Sequence, residues 1–218
     1  MSLRQNIIFL FRSLYGESNL VNVHEIAEIW KQQEGYMEAL KQIEEMEKEL
    51  GPIGIWSASY DGKLWSFSYP RAYDGIYREL KYVYMPLFTS SPIRLTVTRS
   101  IVHYSVAHAE NCLKIFYSRN GFLKYGRQPL GSLANTKLES IMDKALVDML
   151  RLLAKIWNPA KHEYDLDGDS TMFTPADAIM TYLSCRKLGF MILSLAGELP
   201  HIEEACSKGP LVCPSLYI

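Results

Sequence analysis

The chain runs to 218 residues, 48% hydrophobic and 22% charged, with 23 basic against 24 acidic side chains and a formal net charge of -1. This composition excludes a disordered or fibrous chain, and the balanced charge removes bulk electrostatic attraction as a reason to bind nucleic acid or an anionic membrane. The length suits one generous core, or one core with an appendage.

From Leu3 to Tyr15, Ile7, Ile8, Phe11, Leu14 and Tyr15 recur at helical spacing, and Gly16 stands where a C-cap would stop them. Arg4, Gln5, Asn6, Arg12 and Ser13 interrupt the apolar run, so it reads as a helix and not as a signal segment. Asn22 then suits an N-cap for a short helix from Val23 to Trp30. Tyr36 to Leu50 predicts a longer helix that buries Met37, Leu40, Ile43 and Leu50 and turns its glutamates outward, with Gly51-Pro52 ending it.

Between Ile53 and Tyr69, two strand-like runs flank Asp61-Gly62, a dipeptide suited to a type I′ hairpin turn. Counting outward pairs Trp56 with Phe67 and Ala58 with Trp65, which sets an aromatic face against one of serines. Ile76, Leu80, Val83, Tyr84 and Leu87 predict the next helix, with Pro86 near its end. After Ser90-Ser91-Pro92, the β-branched run Ile93 to Val106 reads as extended. Asn120-Gly121 reads as a second hairpin turn, pairing Phe116 with Tyr125. Thr136 to Ile156 carries a broad apolar stripe and predicts a single helix ended by Asn158-Pro159.

Beyond it, Pro159 to Ser170 is polar and acidic, and Thr174-Pro175 opens a last helix toward Leu188 or Leu195. The most apolar piece, Leu188 to Ala196, is far shorter than the roughly 20 residues that span a bilayer, so the expectation is a soluble, cytoplasmic protein. Cys112, Cys185, Cys206 and Cys213 lack CxxC spacing and read as reduced thiols, with Cys206 and Cys213 the pair to bridge in an oxidising compartment. Taken together these elements predict an α+β fold: a central antiparallel sheet of about five strands flanked by helices. Residues 1–35 would form N-terminal helices, 36–157 the core and 158–218 a helical C-terminal extension.

The order of the helix Tyr36 to Leu50, the run Ile53-Gly54-Ile55-Trp56-Ser57-Ala58-Ser59-Tyr60-Asp61-Gly62-Lys63-Leu64-Trp65, and the helix, strands and helix that follow resembles the roadblock (dynein light-chain) family over Tyr36 to Trp157. The resemblance implies a non-enzymatic module that forms homodimers by joining sheets edge to edge through Ile101 to Ala109. It also implies docking of a small GTPase or a larger scaffold. The rival reading is a winged-helix regulator, in which Tyr36 to Leu50 would enter the major groove. Five glutamates against Lys41 and Lys48 on that helix would repel phosphate, and the hairpin wing offers only Lys63.

Chemistry-bearing patterns are sparse. Asp165, Asp167 and Asp169 stand at positions one, three and five of a calcium loop, where alternate carboxylates converge on a hard cation. Ser170 occupies the glycine position and Ala176 position twelve, so the segment reads as a solvated acidic loop, with a weak divalent-cation site as the alternative. His103 and His108, five apart on a strand, would point to opposite faces and share no ion. Gly126 to Gly131 lacks the Lys-Ser or Lys-Thr of a phosphate loop, and GxGxxG, GxSxG and HExxH are absent, so the chain reads as a binding module needing no cofactor. Among its 14 tyrosines, Tyr73, Tyr77 and Tyr82 stand on the less apolar side of their helix and are the interface candidates.

Overall fold

A computed structural model describes residues 2–32, 35–50, 74–87, 94–122, 128–134, 138–161 and 173–202. Every regular element among them is helical: α1 (Leu3–Tyr15), α2 (Ser18–Lys31), α3 (Tyr36–Glu47), α4 (Asp74–Leu87), α5 (Arg94–Arg119), the single turn α6 (Leu130–Leu133), α7 (Lys144–Lys161) and α8 (Pro175–Leu195). Short 3-10 turns occupy Lys48–Leu50 and Leu138–Ser140. The expected α+β sheet is therefore corrected to a helical bundle across the described residues. The Asp61-Gly62 hairpin lies outside them.

The largest correction is α5. Ile93 to Val106 was expected to be extended, and Ile101 to Ala109 to be the pairing strand, yet Arg94 to Val106 and Ile101 to Ala109 fall within a 26-residue helix, and Ile93 lies outside the described residues. The reason is packing. As a helix this segment buries Thr98, Ile101, Val102, Ser105, His108, Ala109, Cys112, Leu113, Phe116 and Tyr117, one stripe at spacings of three and four. A β-branched residue prefers a strand by at most about 1 kcal/mol, and context reverses the sign. A continuous buried stripe outweighs that preference, at roughly 1.5–3 kcal/mol per large apolar side chain.

Asn120-Gly121 is likewise a helix stop and not a hairpin turn. Gly121 takes φ +79°, the Phe122 N–H donates to the Tyr117 carbonyl at 2.8 Å, and the Gly121 N–H donates to Ser118 at 3.2 Å. These are the two bonds of a Schellman cap, and the Tyr117 and Phe122 rings supply its apolar contact at 6.2 Å. The stripe expected from Thr136 to Ile156 is split in two: Asp143 Oδ1 accepts from the Ala145 N–H at 2.8 Å and starts α7, which continues through Pro159 to Lys161. α2 starts at Ser18, so Asn22, expected as its N-cap, lies inside the helix. Gly16 ends α1 with φ +81°, and Thr174 caps α8 through a reciprocal pair of bonds with Asp177.

α8 is the centre of the bundle. From Pro175 to Leu193 nearly all its residues are buried, with α1, α2, α3 and α5 packed around it. It is long and apolar enough to cross a membrane by length and composition, but 72% of that window is enclosed by the other helices. Its principal partner is α5, which packs in turn on α4 and α7. Where α5 and α8 approach, Gly189 leaves no room for a side chain: a Cβ there would lie 2.6 Å from His108 Nε2 and 3.1 Å from Cys112 Sγ.

Gly189→Ala therefore sets a helix-propensity gain of about 1 kcal/mol against overpacking of about 1–3 kcal/mol. The clash involves an imidazole held on both sides, so urea denaturation should show a net loss of stability. Gly131→Ala, whose Cβ would meet only Ala154 at 3.9 Å, should be neutral or stabilising in the same assay.

Candidate functional site

The interior contains a polar network built by α3 and α8. Glu47, 2% exposed at the end of α3, accepts from the Tyr182 hydroxyl at 2.6 Å and faces Arg186 Nε at 3.4 Å. Tyr15 lies at its edge, its hydroxyl donating to the Leu183 carbonyl at 3.2 Å, and Lys187 Nζ sits 4.5 Å above the Tyr15 ring. Burial raises the proton affinity of Tyr15 and Tyr182, the nearby Glu47 carboxylate adds to the effect, and Arg186 opposes it. Both phenols therefore stay protonated donors at neutral pH.

One helix away, His108 Nδ1 stands 3.1 Å from the Ile76 carbonyl, which can only accept, so Nδ1 carries the proton. Nε2 then offers its lone pair to the Cys112 thiol at 3.9 Å. Burial and then the Arg186 charge hold the imidazole neutral, lowering its pKa from 6.5 to about 3. Cys112 is pushed up to about 12 by burial, and Cys185 is also raised, so neither free thiol is a ready nucleophile. Gly189 packs directly against His108 and Cys112. The buried polar residues hold helices together: Glu47 ties α3 to α8, and His108 ties α4 to α5.

Among the described residues, two solvent-facing features group several side chains. A cleft of about 190 Å³ opens where α1, α2 and the start of α8 meet, lined among others by Arg4, His24, Glu28, Lys31 and Asp177. Its charges are already matched, Arg4 with Asp177 at 3.5 Å and Lys31 with Glu28 at 2.5 Å. The second is an aromatic strip across α4, α5 and α7. Tyr82 lies 4.8 Å from Tyr104, His103 meets Tyr104 edge-on at 5.2 Å, and His103 stacks on Trp157 at 4.9 Å, all between ring centroids. Tyr82 is 47% exposed and the other three rings are half-buried. Among the described residues no hydrogen-bond partner is seen for the Tyr82 and Tyr104 hydroxyls or the Trp157 indole N–H.

Of the residues singled out from sequence, Asp165, Asp167 and Asp169 lie outside the described residues, as do Cys206, Cys213, Tyr73 and the Tyr77 side chain. Among the described residues no group of three or more His, Cys, Asp or Glu could hold a metal. His103 and His108 do lie apart, but on a helix and not a strand, one stacked near the surface and one buried. Tyr82 is exposed on its helix, whereas Glu47, expected on the acidic outer face, points inward. The network of Glu47, Tyr182, Arg186 and Tyr15 was not foreseen, because its members lie up to 171 positions apart and no local pattern links them. No family model, curated protein or solved structure matches the chain.

Three expected outcomes follow from the buried polar groups. Glu47→Ala removes the acceptor of Tyr182 and a carboxylate facing Arg186, so urea denaturation should show a loss on the order of 3 kcal/mol. Ser184 Oγ is buried without a hydrogen-bond partner, so Ser184→Ala should gain about 1 kcal/mol. The acid limb tests His108. Between 6.5 and about 3 the unfolded chain holds a proton on this ring that the folded chain does not, so stability falls as pH drops through that window and is indifferent to His108 above it. His108→Gln should flatten the limb by about 1.4 kcal/mol per pH unit, read from denaturation midpoints at stepped pH.

Proposed function

We propose that the chain is a non-enzymatic protein-interaction module that self-associates through the strip of Tyr82, Tyr104, His103 and Trp157. The observation that carries this reading is the line of four touching rings whose phenol and indole groups have no hydrogen-bond partner among the described residues. Tyrosine and tryptophan favour interfaces because a rigid ring buries much apolar area at little entropic cost while its polar tip finds a partner. A phenol both donates and accepts, so such a strip can pair with itself about a two-fold axis. A second copy of the chain is therefore the occupant we assign.

The interior favours binding over chemistry as well. The clustered titratable groups, Glu47, His108, Arg186, Tyr182 and Cys112, are all close to fully buried. α3 supports the choice of a protein partner over nucleic acid, since Glu38 and Glu45 are exposed on it and would meet phosphate with repulsion.

Size-exclusion chromatography with light scattering should show a dimer that dissociates on dilution. Tyr82→Glu, on an exposed position that leaves the core intact, should weaken it by roughly 30-fold or more in Kd, the scale of a hot-spot loss of about 2 kcal/mol. Circular dichroism of the variant should be unchanged. A wild-type chain that stays monomeric at every concentration, or a dimer indifferent to Tyr82→Glu, would overturn the assignment.

A further inference from the structure

We draw no further inference here: the strongest candidate, the cleft of about 190 Å³ between α1, α2 and the first turn of α8, carries nothing because Asp177 already caps that helix end and the cations Arg4 and Lys31 already face Asp177 and Glu28.

Discussion

The bundle depends on enclosing α8. A 21-residue helix that is apolar on nearly every side has no solvated face, so the chain must wrap other helices around it, and α1, α2, α3 and α5 do so. Its contact with α5 is the closest. At Gly189 the two backbones approach until His108 and Cys112 fill the space a side chain would take. Larger residues there would push α5 away and open the interior that both helices share.

The core also holds polar groups that satisfy one another. Arg186, 3% exposed, and Glu47, 2% exposed, are taken out of water, which costs several kcal/mol per ion unless hydrogen bonds and opposite charge offset it. Tyr182 supplies a further hydrogen bond to the carboxylate. The same guanidinium, after burial, helps keep His108 neutral. Peripheral ties repeat the logic: the Trp30 indole donates to the Leu87 carbonyl at the end of α4, Thr98 to Phe173 ahead of α8, and Arg119 pairs with Glu198 beyond it.

The proposed interface lies on the outside, where three helices contribute rings to the aromatic strip. His103 is central to it, because it touches Tyr104 on its own helix and Trp157 on α7, joining rings from separate parts of the chain. The strip sits on rigid helices and not on a loop, so its rings are ordered before any partner arrives, which lowers the entropic cost of association.

The sequence by itself determined the local features whose causes are local. Gly16 stops α1 because only glycine readily takes a positive φ, Thr174-Pro175 starts α8 because the cap bonds and the proline ring suit a first turn, and the spacing of Ile76, Leu80, Val83 and Leu87 is that of α4. It also marked Tyr82 as outward-facing. What only the tertiary structure decided was the state of α5 and the meaning of Asn120-Gly121. The buried stripe of α5 includes Thr98, Ser105 and His108, polar residues that hide a helical period from hydropathy and leave the β-branched residues to suggest a strand. An Asn-Gly pair closes a hairpin or ends a helix equally well, since both need a positive φ at glycine, and the choice belongs to whatever packs on the preceding segment. Glu47 and Arg186 needed the fold for the same reason: a charge goes inside only where a distant part of the chain brings its counter-charge to meet it.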